Sequence, residues 1–167
     1  MRDLRFDTQR LNCRPLENSD IPAFTAIVSF DKWIQHYFEI GFGIDVVKVF
    51  FDSLQSYECF PVIACLDSST NIVGYINGFV RSPSELLIEY FIVEDYRKNG
   101  YARELLLAYL DECVKYGFST FKFDVEDGNL PSANLLESLG ATRCVDDDFV
   151  LESNRGKRTF FTYEIIR

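Results

Sequence analysis

The chain has 167 residues, of which 47% are hydrophobic, 16% aromatic and 26% charged, and it carries a formal net charge of −9 at pH 7. That length and composition predict one globular domain with a sizeable core, and no apolar run reaches the length of a membrane span. The negative charge argues against nucleic acid as a partner, because phosphates need a basic surface; it tolerates a cationic one.

Met1-Arg2-Asp3-Leu4-Arg5 begins no apolar signal region, so a cytoplasmic protein with no membrane partner is the expectation. Residues 8–16 read as a first strand. Ser19 or Asp20 caps a short helix running to Phe30, with Pro22 accommodated in its first turn. Residues 31–43 have no clear period and are rich in aromatics (Trp33, His36, Tyr37, Phe38, Phe42), which suits either core filler or the wall of a ligand cleft. A second amphipathic helix is predicted over 45–55. Strands follow at 60–66, 72–80 and 86–93, joined by polar turns at 67–71 and 81–84, as an antiparallel meander. A helix from Gly100 to about Tyr116 is stopped by Gly117. Residues 121–125 form another strand, 129–139 a helix ended by Gly140, and 141–151 and 158–166 two last strands. An exposed edge of those last strands could pair into a homodimer.

Five cysteines, with no C-x-x-C pair, read as reduced core thiols. A single histidine, His36, removes His-rich metal sites and argues against a histidine-centred triad. Gly41-Phe42-Gly43 lacks the third glycine and the βαβ context of a dinucleotide-binding turn.

The stretch from Glu89 to Leu106 organises the rest. An apolar run ends at Val93, a polar turn follows, and a helix opens at about Gly100. Its apolar stripe is Ala102, Leu105, Leu106, Tyr109, Leu110, Cys113 and Val114. A strand leading through small residues into a helix presents unpaired N–H groups at the positive end of the helix dipole. Phosphate oxygens fit such a turn where Gly100 and Ala102 let the backbone approach. An ordinary βα turn has the same outline, and the turn alone leaves both readings open.

Arg97-x-x-Gly100-x-Ala102 after an apolar strand resembles the [Gln/Arg]-x-x-Gly-x-[Gly/Ala] signature of the GNAT superfamily of N-acetyltransferases. Further local matches resemble its ribosomal-protein-alanine acetyltransferase-like (RimJ/RimL-type) branch. They are Thr8-Gln9-Arg10-Leu11 with Arg14-Pro15-Leu16 and Asp20, then Gly100-Tyr101-Ala102-Arg103-Glu104. Asn129-x-x-Ser132 with Leu139-Gly140, and Gly156-Lys157-Arg158 with Tyr163, complete the set. Together they span about residues 8–166. The resemblance implies an α+β (mixed α/β) GNAT-like acyl-CoA N-acyltransferase fold, a mostly antiparallel twisted sheet flanked by helices, in one domain over 1–167. Three positions depart from the pattern. Leu136 stands where many members carry a tyrosine, Glu89 where the branch usually has glycine, and Ala141 where phenylalanine is common after Leu-Gly.

The implied activity is transfer of an acetyl group from acetyl-CoA, as cosubstrate, to a primary amine in a ternary complex. The acceptor could be a protein N-terminus, a polyamine or another small molecule, and no metal is called for. The alternative is a catalytically idle CoA-binding or regulatory domain with the same fold. By the resemblance, backbone amides of Arg97, Lys98, Asn99, Gly100, Tyr101 and Ala102 cradle the pyrophosphate, main-chain groups of Ile92 and Val93 pair with the pantetheine arm, and Asn129 binds through its amide. Asn129 reads equally well as a helix N-terminal residue. A protonated amine, with a pKa of about 10, must lose a proton before it attacks. Asp124 is the first candidate base, sharing a strand face with Glu126 by alternation. Glu89 is the second, and Tyr90 or Tyr101 is the candidate proton donor; each also has an ordinary structural reading. Asp146-Asp147-Asp148 could attract a cation, bind a divalent ion or form a solvated edge.

Overall fold

The computed structural model describes residues 3–38, 44–66, 71–153 and 156–167. These fall into two compact units, one holding the residues up to Phe79 together with Tyr90–Glu112, the other Val80–Glu89 together with Cys113–Arg167.

In the first unit, β1 (Phe6–Asp7), β2 (Leu11–Pro15), β3 (Val62–Leu66) and β4 (Ile72–Ser82, to Phe79 in this unit) lie side by side and antiparallel. The strand expected over 8–16 is shorter than its apolar pattern, because Thr8 turns the chain. The Thr8 N–H donates to the Leu11 carbonyl at 2.8 Å and the Leu11 N–H donates back to Thr8 Oγ1 at 2.9 Å. Residues 72–78 of β4 are all buried, the pattern of a strand covered on both faces.

Three helices of this unit precede β3 in the chain: α1 (Ile21–Phe30), α2 (Lys32–Phe38) and α3 (Ile44–Leu54). The second lies in the aromatic segment read from sequence as irregular. Asp31 explains it. Its backbone N–H closes α1 on Ile27, and its Oδ1 accepts the Ile34 N–H at 3.2 Å, capping the next helix. Residues 39–43 and the side chains of Trp33, Tyr37 and Phe38 lie outside the described residues, so the cleft wall expected there has no described counterpart. The core centres on Phe24, 1% exposed, whose ring lies 5.5–5.9 Å from those of Phe50, Phe51, Tyr75 and Phe91. The last helix, α4 (Tyr101–Lys115), buries Leu105, Leu106, Tyr109, Leu110 and Cys113 as its stripe predicts. Val114 departs from that stripe and is 40% exposed.

In the second unit, β5 (Glu85–Ile92, to Glu89 here) pairs with β6 (Thr120–Glu126) in parallel, from Glu85↔Thr120 to Leu87↔Lys122. β6 pairs antiparallel with β9 (Gly156–Ile166), which also pairs with β7 (Thr142–Arg143) and β8 (Phe149–Ser153). Strict alternation along β6 buries Phe121, Phe123 and Val125 and leaves Lys122, Asp124 and Glu126 half-buried. Helix α5 (Leu130–Ser138) buries Leu136 completely. The single strand expected over 141–151 is broken by a 3-10 turn at Val145–Asp147. There Asp148 Oδ1 accepts the Thr162 N–H at 3.0 Å, taking the place of a backbone partner. Apart from β5–β6, the pairings in both units are antiparallel, as the expected mixed α+β sheet requires.

Four of the five thiols are buried. Burial pushes Cys13 up to about 12 and Cys65 in the same direction, which makes both poor nucleophiles.

Gly74 sits where β4 meets the end of β5. A Cβ there would lie 2.7 Å from both the Phe91 carbonyl oxygen and Ile92 Cδ1, and the carbonyl belongs to backbone that must move. Gly74→Ala is therefore expected to destabilise the protein by about 1–3 kcal/mol. In urea this appears as a lower midpoint at unchanged m; an unchanged midpoint would show that β5 yields freely.

Candidate functional site

The segment from Ile92 to Ala102 lies wholly in the first unit. After β5 a 3-10 turn (Glu94–Tyr96) follows Val93, Arg97 is extended, Lys98 has φ +62° and Gly100 φ +83°. Lys98 is the only non-glycine with positive φ among the described residues, an uncommon conformation for a lysine. Gly100 accepts the first helical bond, from the Glu104 N–H at 3.1 Å. The N–H groups of the first helical turn have no acceptor within the helix, and they open at an exposed glycine beside exposed Lys98 and Asn99.

Two arginines hold this turn. Arg97 donates through Nε to the Ile92 carbonyl at 2.8 Å and through its terminal nitrogen to Asp31. The Asp31 side chain is only 4% exposed, and a buried carboxylate needs such a partner. The Val93 N–H donates to the Val73 carbonyl at 2.9 Å, fixing the strand end to β4. On the other side, Arg10 donates to the Asn99 carbonyl at 2.9 Å and to Glu104 Oε2 at 2.7 Å, and its guanidinium lies 4.3 Å from the centroid of the Tyr101 ring. Glu104 also accepts from Thr8 Oγ1 at 2.5 Å and from the Arg10 N–H at 2.9 Å. Burial opposes ionisation of Glu104, yet the hydrogen bonds from Thr8 and Arg10 and the Arg10 charge outweigh it and hold the carboxyl below its ordinary value. With Arg97 paired to Asp31 and Arg10 to Glu104, Lys98 is left as an exposed cation in the turn itself. The exposed Asn99 donates through its side-chain amide to the Tyr96 and Arg97 carbonyls at 3.3 and 3.0 Å.

The remaining candidates divide between the units. Tyr90 is half-buried in the first; Glu89, half-buried, Asp124 and Asn129 belong to the second. Asn129 is the N-cap of α5, with Oδ1 accepting the Ser132 N–H at 3.4 Å; this cap makes no use of its Nδ2 donors. Asp124 faces Thr162 across the ladder and accepts from its Oγ1 at 2.9 Å. Burial raises the Asp124 carboxyl above its ordinary value, against the Thr162 hydrogen bond and the Arg81 and Lys122 charges. Glu126 is paired to Arg158 by two bonds of 2.8 Å, so of the two acids on this face Asp124 is the one without a bidentate ion pair.

The acidic run is engaged rather than simply solvated. Asp147 pairs with Lys122 at 2.6 Å and Asp148 with Arg143 at 2.5 Å. No cluster of three or more acids, histidines or cysteines suited to a metal ion occurs among the described residues. No described helix is long and apolar enough to cross a membrane.

Sequence reasoning named the turn but gave no role to Asp31 or to the Arg10–Glu104 pair. An acid in the first turn of a helix, where the dipole favours it, was the available signal for Glu104.

A model described as the acetyltransferase (GNAT) family matches residues 27–141. A comparison with curated proteins finds no match. Among solved structures, the chain is similar to an acetyltransferase (GNAT family) from Bacillus anthracis, with 22% identity over 98% of each chain and a TM-score of 0.82. It is similar to spermidine N-acetyltransferase from Vibrio cholerae in complex with CoA and spermine, with 16% identity over 94% of this chain and 95% of that one and a TM-score of 0.78. The ribosomal-protein-S18-alanine N-acetyltransferase from Escherichia coli is 19% identical over 93% of each chain, with a TM-score of 0.70. At these identities the likeness is one of fold.

Because the Glu104 carboxyl is lowered by folding, the stability it contributes is fully present above its ordinary value of 4.5 and is lost as pH falls through the lower folded value. Glu104→Gln is expected to cost about 1–3 kcal/mol near neutral pH, with the gap to wild type closing as pH falls below 4.5. Urea titrations at a series of pH values read this directly. A gap that is constant with pH would mean that the charge is not what holds Arg10.

Proposed function

The chain belongs to the acetyltransferase (GNAT) family, and on that premise we propose that it transfers an acetyl group from acetyl-CoA to a primary amine, directly, in a ternary complex. What supports the reading is the opening of α4: an exposed helix N-terminus behind a left-handed Lys98 and Gly100, braced from behind by Arg10 and Arg97. This donor set fits a diphosphate. It offers backbone N–H groups, one exposed ammonium, and two small residues that admit close approach. Backbone amides from Arg97 to Ala102, through Lys98, Asn99, Gly100 and Tyr101, make the cradle. The Arg97 side chain contributes rigidity more than charge, since Asp31 and the Ile92 carbonyl already occupy it.

Acetyl-CoA supplies the thioester carbonyl that the amine attacks. The Val93 N–H is already bonded to β4 and its carbonyl accepts the Tyr96 N–H at 2.9 Å, so by alternation the Ile92 N–H points the other way and is the strand group offered to the pantetheine arm. Asn129 offers its Nδ2 to the cofactor, the atom its helix cap leaves unused. Asp124 takes the proton of the acceptor ammonium, a role suited to a carboxyl raised by burial. Glu89 is the second acid for that task, and Tyr90 the hydroxyl that returns a proton to the departing thiolate. Leu136, fully buried and without a polar atom, takes no part.

The acceptor is an amine of small-molecule or peptide type. The fold neighbours named for spermidine and for a ribosomal protein alanine illustrate both kinds.

The thermal midpoint measured with and without acetyl-CoA tests the cofactor. At about 100 times its dissociation constant, ligand is expected to stabilise the wild type by roughly 2.7 kcal/mol. Gly100→Glu, which places an anion in the turn at φ +83°, is expected to abolish that shift whatever it does to the unliganded midpoint. A wild-type protein that does not respond sinks the reading; a response without turnover of any amine favours an idle CoA-binding domain.

A further inference from the structure

Thr162 lies directly opposite Asp124 in the β6–β9 ladder and is 3% exposed. Its Oγ1 is 2.9 Å from Asp124 Oδ1 and 3.0 Å from the Asp147 carbonyl oxygen. A hydroxyl carries one proton. While Asp124 is ionised, both neighbours of Oγ1 are acceptors, and only one can receive that proton. Once Asp124 is protonated the conflict vanishes: the acid O–H donates to Oγ1, and Oγ1 donates to the Asp147 carbonyl.

The surrounding contacts keep this geometry in place. The Thr162 N–H donates to Asp148 Oδ1 at 3.0 Å, Arg143 holds Asp148 at 2.5 Å, and Lys122 holds Asp147 at 2.6 Å.

We propose that Thr162 is a positioning residue whose hydroxyl switches between two acceptors, donating to Asp124 while that carboxylate is ionised and to the Asp147 carbonyl once Asp124 has taken a proton. The inference rests on the acetyl-transfer reading for the source of that proton. The acceptor ammonium gives one proton to an Asp124 oxygen, leaving a neutral amine and a neutral acid, and no bond but N–H is broken. Because an acceptor is waiting in each state, proton capture leaves no buried polar atom unpaired, and only one hydroxyl has to rotate.

The charges facing the pair are Arg81 on β4, Lys122 on the strand of Asp124 itself, and Asp147 and Asp148 from the turn above it. Arg81 and Lys122 favour the ionised acid, and Asp147 disfavours it. Burial of Asp124 is the larger influence and raises it, so the Thr162 hydroxyl is a chief counterweight.

The test is a carboxyl carbon NMR titration of Asp124, assigned by its loss in Asp124→Asn, in the wild type, Thr162→Val and Thr162→Ser. Valine keeps the shape and removes the hydroxyl; serine keeps the hydroxyl. The midpoint is expected to rise by about one pH unit or more in the valine variant, the scale of a lost hydrogen bond to a charged group, and to stay near wild type in the serine variant. The acidic limb of the kcat/KM profile for an amine is expected to rise with it. An unmoved midpoint in Thr162→Val, an equal rise in Thr162→Ser, or an acidic limb that stays while the midpoint moves overturns the proposal. A protein that binds no acetyl-CoA, yet whose Asp124 midpoint responds to valine and not to serine, upholds the switch and counts against acetyl transfer alone.

Discussion

The pairing of Arg97 with Asp31 is the constraint on which the first unit depends. Asp31 is nearly inaccessible, and an ionised carboxylate in that position is tolerated only with a cation and hydrogen bonds around it. One residue does three jobs: its N–H ends α1, its Oδ1 starts α2, and its Oδ2 receives the guanidinium. Arg97 in turn reaches back to the last residue of β5. The left-handed backbone at Lys98 is thereby pinned between a fixed strand end and a fixed helix. A turn in so uncommon a conformation persists where its surroundings over-determine it, and here they do so from both sides, because Arg10 holds the Asn99 carbonyl independently.

Much of this was legible in the sequence, and the limits have physical causes. The stripe of α4 and the alternation of β6 are local periodicities, and burial follows both closely. The Arg97-x-x-Gly100-x-Ala102 motif is local too, and so is the cap at Asn129. What could not be read were the long-range substitutions of side chain for backbone. The pattern over 141–151 is that of one strand, but Asp148 replaces a ladder partner of Thr162, and the strand splits in two. Lys32 to Phe38 has no clear helical period in the sequence, and its helix is set by the preceding cap at Asp31. The braces join residues 66 and 94 positions apart, so no window along the chain contains them.

Two kinds of electrostatic arrangement coexist in the molecule, and they suit different tasks. Around the turn, carboxylates and guanidiniums are matched in hydrogen-bonded pairs, and Glu104 is held below its ordinary value. Glu104 therefore stays charged through the neutral range, and the pairs serve as fixed struts. Around Asp124 the neighbouring charges are matched to one another instead: Lys122 to Asp147, Arg143 to Asp148, and Arg158 to Glu126. The acid itself has the Thr162 hydroxyl as its hydrogen-bond donor, and burial moves it upward.

This difference bears on which carboxylate can exchange a proton. A group locked into an ion pair resists protonation because its partner would be left buried and unpaired. A group whose partner is a hydroxyl loses less, since the hydroxyl can accept as well as donate. Among the acids of β6, Glu126 belongs to the first kind and Asp124 to the second. The acidic run after β7, which reads in the sequence as a cation trap or a solvated edge, acquires a third meaning from this: it supplies the covering turn whose Asp147 carbonyl and Asp148 carboxylate keep Thr162 in position beside Asp124.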